Sequence, residues 1–492
     1  IMNFANQWNY FVALGPQAIL TVFAIGILLI GVNRQEENTN STCWNLGWIA
    51  LMGVLSATIM NGILYTVVKP SYQGIVAVDG YSILANWVLL IGLAMAILIS
   101  VGYVDRQRLQ APEYFCLLLF STIGLMLMTA SLDLILIFIG LEIASISVYA
   151  LAAIDQRSPR GAEAGLKYFL LGAFSTGIFL YGVALIYGAT SSVNLLGIEA
   201  AVAAGTSSPA MLLTGVIMLA VGFCFKVSVV PFHMWTPDVY QGAPLPITGY
   251  MSVAIKVGAF LTFFRVFGVY LDGLHESWSG VFWWLAVITM ISGNLIALTQ
   301  NNIKRLLAYS GIAHSGYLLI TLQANNPTSE SGLLFYLTVY SLANLGLFAG
   351  MIFVANQGET KVEIDNYAGL GVKYPFVALS LTLFLFSLAG FPGTGGFIGK
   401  VLILRGALEE HYIGLSLTLV LGTLISYWYY LRIAWFMWMK DPANDPLHDT
   451  SSTSGVPVML RVVLIFASVL IIYTGLFPSQ WIDLMEAVTL TV

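Results

Sequence analysis

Four ionisable residues stand inside long apolar stretches. Glu142 lies midway along "LILIFIGLEIASISVYAL", and Lys226 lies inside "AVGFCFKVSVVPFHMWTPDVYQGAP". Lys256 is at the centre of "YMSVAIKVGAFLTFF", and Lys400 follows the break in "SLAGFPGTGGFIGKVLIL". A Lys or Asp at the centre of a membrane helix costs roughly 2.5–3.5 kcal/mol on insertion scales, so such residues are usually paired and functional. One acid and three amines on separate helices can form a row with one pair neutralised and the rest able to titrate. Burial favours the neutral form of an amine and brings its titration toward neutral pH, so the chemistry open to the row is proton transfer. The structural reading stays open beside it: a fixed Glu–Lys pair, with lysines that snorkel to an interface.

Two histidines are further candidates for a relay. His233 follows Lys226 by seven residues and shares its face if the helix continues through Pro231. His314 sits mid-helix in "KRLLAYSGIAHSGYLLI", and an unperturbed imidazole titrates near about 6.5. For both, a hydrogen-bonded structural role is the alternative. Asp133 reads as a helix cap, Asp238 as the end of the unwound stretch, and Lys304 and Arg305 as interfacial, topological charges. The aromatic run "SYWYYLRIAWFMW" (426–438) reads as belt and packing residues.

The elements that carry these residues follow from composition. The chain has 492 residues, 58% hydrophobic and 9% charged, with a mean hydropathy of +0.86. A soluble surface needs about a quarter of residues charged, so this is an integral membrane protein. The net charge of −5 comes with no basic arm or stripe, which excludes a nucleic-acid partner. Cys43, Cys116 and Cys224 have no close spacing, which excludes a disulfide framework or a cysteine-ligated cluster of usual spacing. No phosphate loop follows a strand, no paired axial histidines are evident, and no segment alternates as a membrane barrel strand does. The chain opens with Ile1 ahead of Met2. Its first apolar segment has no basic region before it and no small-residue cleavage site, and reads as a membrane helix.

A helix crosses the bilayer with about 20 apolar residues. About fourteen such segments are expected: 12–32, 44–66, 80–103, 113–130, 132–152, 164–188, 209–240, 245–270, 278–298, 303–322, 331–355, 375–407, 412–438 and 456–477. The seventh and twelfth are too long and carry breaks, at Pro231 and at "GFPGTGG" (390–396). Unwound backbone is tolerated at membrane depth only where it is buried or lines a wet cavity. Two broken helices five apart, each with a lysine beside the break, predict an internal repeat. Helices 4–8 and 9–13 would form two five-helix units, inverted because five is odd. The expected division is 1–112 (three helices), 113–271 and 272–440 (the two repeats), and 441–492 (the last helix and tail). Of nineteen Lys and Arg, thirteen fall on the side reached after odd-numbered helices, three on the other side, and three inside helices. The positive-inside rule then puts both termini on the non-cytoplasmic side.

Several long motifs together carry a resemblance: "FKVSVVPFHMWTPDVYQGAPLPITGYMSVAIK", "IKRLLAYSGIAHSGY", "LKYFLLGAFSTGIFLYGVALIYG" and "FPGTGGFIGK". With them the chain resembles the antiporter-like membrane subunits of respiratory complex I, most closely the subunit N type. The likeness covers nearly the whole chain and is strongest from about 75 to 440. It implies fourteen helices with inverted repeats of 4–8 and 9–13. It also implies that Glu142 and Lys226 are a paired glutamate and lysine, Lys256 a connecting lysine, and Lys400 a terminal lysine toward the neighbouring subunit. Subunit M and Mrp-type relatives carry glutamate where this chain has Lys400, and the subunit L type has a long C-terminal lateral helix for which this chain lacks room. The implied function is proton translocation driven by quinone reduction elsewhere in the complex. The implied cofactors (NADH, FMN, iron–sulfur clusters and quinone) belong to partner subunits, with none in this chain. The implied neighbours are the subunit M and small subunit K types and lipid. The implied location is the bacterial inner membrane, with the mitochondrial inner or thylakoid membrane as alternatives. A Mrp-like cation/proton antiporter and a ferredoxin-linked photosynthetic complex remain alternative settings.

Overall fold

A computed structural model describes residues 11–33, 39–67, 74–205, 208–355, 359–441 and 455–490. Ile1, Arg34 and Lys69 lie outside these described residues. The architecture is helical throughout, because a chain in hydrocarbon must satisfy its backbone N–H and C=O groups within each segment.

The helices are α1 (Gly15–Asn33), α2 (Thr39–Val67), α3 (Gly80–Gln107), α4 (Ala111–Ala130), α5 (Leu134–Ala152) and α6 (Pro159–Thr190). Then come α7a (Pro209–Lys226) and α7b (Trp235–Gly242), α8 (Leu245–Tyr270) and α9 (Asp272–Leu298). The series closes with α10 (Ile303–Ala324), α11 (Pro327–Ala355), α12a (Pro375–Ala389) and α12b (Gly395–Glu409), α13 (Ile413–Met439) and α14 (Val458–Leu476). Among the described residues eleven helices are long and apolar enough to cross a membrane, and Gly15–Gly31 and Pro375–Ala389 are shorter apolar runs. The α10 helix completes the set; Lys304, Arg305 and His314 dilute its apolar character. The short helices Leu195–Ala203, Leu370–Lys373 and Ser479–Glu486 lie outside the expected segments.

The breaks fall where proline and glycine put them. The α7a helix stops at Lys226, the chain turns through 227–234, and α7b restarts at Trp235. The α12a helix ends on Gly390, whose φ of 84° closes it in the left-handed region that glycine alone enters freely. A third irregularity had no sequence signal: α8 contains two π-helical segments, Met251–Ile255 and Arg265–Tyr270. The first ends immediately before Lys256. Such segments are rare and frequent at functional sites.

Helix pairing repeats along the chain. The α4 helix packs on α5 and α8, and α6 on α7a; likewise α9 packs on α10 and α13, and α11 on α12b. Small residues allow the closest approaches. A Cβ at Gly124 would lie 2.4 Å from the Gly140 carbonyl oxygen and 2.5 Å from the Ala144 nitrogen. Gly124→Val is therefore expected to push α4 off α5 at a cost of about 1–3 kcal/mol, read as a lower melting temperature of the purified protein.

Polar contacts sort the helix ends onto two faces. On one, Lys304 bonds Glu359 at 2.9 Å, and Glu359 also reaches Tyr103 near the end of α3 and Leu245 at the start of α8. On the same face Asp238 of α7b binds Lys167 of α6 and Arg305 of α10, each at 2.9 Å. On the opposite face Arg265 at the end of α8 meets Asp79 at the start of α3. Each face holds a buried cation. Lys304, in the first turn of α10, stands at the first of these helix-end faces and is buried there, 1% exposed. Arg265 is buried as well: it is 1% exposed and grips Asp79 with two hydrogen bonds, of 2.8 and 2.9 Å. Both carboxylates come from distant segments, so nothing near the arginine or the lysine announced its burial.

Candidate functional site

The α5 helix presents Glu142, Ser145 and Tyr149 at spacings of three and four residues, hence on one face. Asp133 caps this helix as expected, accepting from the amides of Ile135 and Leu136 at 2.9 and 3.2 Å. Across from α5, Lys226 is the last residue of α7a, where the helix C-terminus favours a cation. Its ammonium donates to Ser145 Oγ at 2.8 Å and to the Tyr149 hydroxyl at 3.0 Å. The expected Glu142–Lys226 ion pair is not formed: the amine binds these two hydroxyls, while Glu142 Oε1 is buried without a hydrogen-bond partner. Glu142 lies about one turn, ~5 Å, back along α5. It borders the exposed stripe Ile135, Ile139 and Ile146, so it stands at the outer edge of the chain.

Lys256 is 2% exposed. Its ammonium donates to the Gly311 carbonyl of α10 and lies 5.5 Å from the centre of the Tyr340 ring. Lys400 of α12b reaches back across the break and donates to the Ala389 carbonyl at 2.9 Å, so its charge sits at the C-terminus of α12a. It also lies 5.2 Å from the Tyr317 ring centre. A Cβ at Gly390 would stand 2.9 Å from Lys400 Cδ, so a side chain here would displace the lysine as well as strain the backbone.

The segment Ser310–Tyr317 of α10 lies beside all three amines and bonds one of them, Lys256, directly. Ser315 Oγ donates to the Val227 carbonyl, beside Lys226, at 2.5 Å and to the Gly311 carbonyl, which Lys256 shares, at 3.1 Å. One turn on, His314 stands between two tyrosine hydroxyls, Tyr336 at 2.5 Å from Nδ1 and Tyr430 at 3.0 Å from Nε2. Tyr317, beneath Lys400, accepts from Asn294 at 3.0 Å, and Asn294 in turn accepts from Tyr429 at 3.0 Å. The structure thus gathers Lys226, Lys256, His314 and Lys400 around one helix, with Glu142 at the edge.

His233 does not join them. Because α7a ends at Lys226 and the chain turns, the seven-residue spacing no longer places the two on one face. His233 Nδ1 is buried without a hydrogen-bond partner in the turn itself. Sequence reasoning missed Ser145, Tyr149, Ser315, Tyr336 and Tyr430. The signal available was the cluster of Ser, Gly and Tyr around His314 in "YSGIAHSGY"; nothing marked the partners on α5, α11 and α13. The aromatic run 426–438 does both jobs: Trp428 and Trp435 are exposed, whereas Tyr429 and Tyr430 are buried in the site. Among the described residues no group of three or more His, Cys, Asp and Glu side chains is placed to hold a metal ion.

Comparison with known proteins gives concordant results. Residues 131–426 match the family described as "NADH:quinone oxidoreductase/Mrp antiporter, TM". NADH-quinone oxidoreductase subunit N of Trichlorobacter lovleyi is 41% identical over 466 residues, 94% of each chain. The subunit of the same name from Rhodospirillum rubrum is 35% identical over 474 residues, 96% of this chain and 95% of that one. Among solved structures, a chain of respiratory complex I from Thermus thermophilus superposes with a TM-score of 0.80 at 31% identity, covering 96% of this chain and 100% of that one. A chain of the Mrp complex from a Dietzia species shares the fold, with a TM-score of 0.81 at 20% identity, covering 96% of each chain.

Proposed function

The chain belongs to the NADH-quinone oxidoreductase subunit N family, the antiporter-like, multi-pass membrane subunits of respiratory complex I, and on that premise we propose that it carries protons along Glu142, Lys226, Lys256 and Lys400. The observation that carries this reading is the α10 bridge. Lys256 bonds the Gly311 carbonyl, Ser315 bonds that carbonyl and the Val227 carbonyl beside Lys226, His314 is held one turn on between two hydroxyls, and Lys400 lies over the Tyr317 ring.

Protons move along the row by changes in charge. Lys226 resting on two hydroxyls is the released form of a Glu142–Lys226 pair. When Glu142 swings one turn along α5 it holds the ammonium; when it leaves, Lys226 gives its proton toward Lys256. A unit charge gained or lost at ~6 Å changes the energy of an ammonium by roughly 3 kcal/mol at an effective dielectric of about 20. His314 passes the proton on toward Lys400.

The redox groups (NADH, FMN, iron–sulfur clusters and quinone) sit in partner subunits, and quinone reduction there drives the charge changes. Glu142, at the edge of an exposed apolar stripe, faces one neighbour, of the small subunit K type. Lys400 faces the next, of the subunit M type. The charge-rich face of Lys304, Asp238 and Arg305 is cytoplasmic, and the membrane is the bacterial inner membrane. In assembled complex reconstituted into vesicles, Lys226→Ala and Glu142→Gln are each expected to lower proton-coupled quinone reduction at least about fivefold, ~1 kcal/mol. Full activity with an unchanged number of protons per electron would sink the proposal.

A further inference from the structure

The α8 helix begins without a cap of its own. Pro244, ahead of it, makes no side-chain capping bond, and Pro246 has no N–H. The Leu245 amide is satisfied by a residue 114 positions away: it donates to Glu359 Oε1 at 2.6 Å. The same oxygen accepts from the Tyr103 hydroxyl at 2.5 Å, and Oε2 accepts from Lys304 at 2.9 Å. Lys304 donates in addition to the Ala243 carbonyl, just before α8, at 2.5 Å. One carboxylate therefore ties together the end of α3, the start of α8 and the start of α10.

These ties bear on Lys256. Lys304 and Gly311 are seven residues apart on α10, hence on one face and about two turns, ~10 Å, from each other. The start of α8 is bound to α10 through Glu359 and Lys304, and its middle through Lys256 and the Gly311 carbonyl. Between these two points lies the π-helical segment Met251–Ile255, whose wider i→i+5 turn offsets the register of Lys256 from that of the helix start. We propose that Glu359 is a positioning residue for Lys256: by capping α8 and pairing with Lys304, it fixes the register in which the Lys256 ammonium meets α10. The inference rests on the reading of Lys256 as a proton carrier. Glu359 itself handles no proton.

The test uses purified, assembled complex with Glu359→Ala and the milder Glu359→Gln, which keeps an acceptor but loses the charge facing Lys304. Amide hydrogen exchange across Leu245–Tyr250 is expected to rise about tenfold in the alanine variant, the scale of a lost helix cap, and less in the glutamine variant. Protons pumped per electron, normalised to assembled complex, are expected to fall severalfold in both. A cap with only a structural role would change exchange and yield but leave protons per electron untouched, and that result overturns the proposal, as does unchanged exchange. Lys256→Met, measured in parallel, separates the two readings. If it pumps normally, the role of Lys256 fails; if it does not pump while the Glu359 variants do, only the positioning role fails.

Discussion

Lys256→Met in assembled complex should lower proton pumping through this subunit at least about tenfold, ~1.4 kcal/mol in barrier terms. The residue is buried at 2% exposure, and its ammonium binds the same Gly311 carbonyl that Ser315 uses to link back to Lys226. Remove the amine and no titratable side chain bridges the Lys226 end to His314, so the row splits in two. The methionine fills the space with a flexible apolar chain of similar length, which keeps α8 packed against α10. Lys256→Arg sharpens the result, because arginine keeps the charge and donors but does not release a proton in proteins. If Lys256 carries protons, arginine fails as methionine does. If it serves only as a fixed charge, arginine restores pumping and the carrier role is refuted.

The largest loss of stability is expected from Asp79→Ala. Arg265 is 1% exposed and makes a bidentate pair with Asp79, while its guanidinium lies 5.1 Å from the centre of the Tyr81 ring. Removing one partner of a buried pair leaves the other charge uncompensated and costs about 3–5 kcal/mol. Asp79 also caps α3, accepting from the Ser82 amide at 2.7 Å, so the same change loses a cap worth about 1 kcal/mol. Burial by itself would raise the Asp79 carboxyl, but Arg265 and Ser82 outweigh it and hold the group below the usual carboxylate range. Its contribution is therefore present above the ordinary carboxylate range and is lost as the pH falls through the lowered value. Asp79→Ala should melt well below the wild type near neutral pH, and the gap should narrow under strongly acidic conditions. Equal melting temperatures at neutral pH would show that the pair does not hold α8 to α3.

The contrast between Lys256 and Arg265 shows how far sequence reaches. Both are basic residues on the same helix, nine positions apart. Lys256 is legible as a buried charge because apolar residues flank it on both sides for more than a turn. Arg265 is not, since it stands near the end of its segment, where a charge reaching water is the ordinary case. Its burial depends on Asp79, from another helix cap 186 positions away. The same holds for Lys304 and Glu359. His314 and His233 make the point in reverse. Their local contexts were equally ambiguous, and the packing of α10 against α11 and α13 put one in the row while the turn after Lys226 left the other out.

By itself, the sequence determined the membrane class, the succession of helices, the two breaks and the positions of the four midmembrane charges. Each is a local matter of composition, because hydrocarbon penalises every charge and every unsatisfied backbone group wherever it occurs. Only the tertiary structure decided which side chains meet. Helices apolar on every side carry little record of which face turns inward, and a hydrogen bond is won or lost by a rotation or a single turn of register. So Lys226 rests on Ser145 and Tyr149 with Glu142 a turn away, and α10, in sequence a helix with one ambiguous histidine, is the element beside which the amines gather.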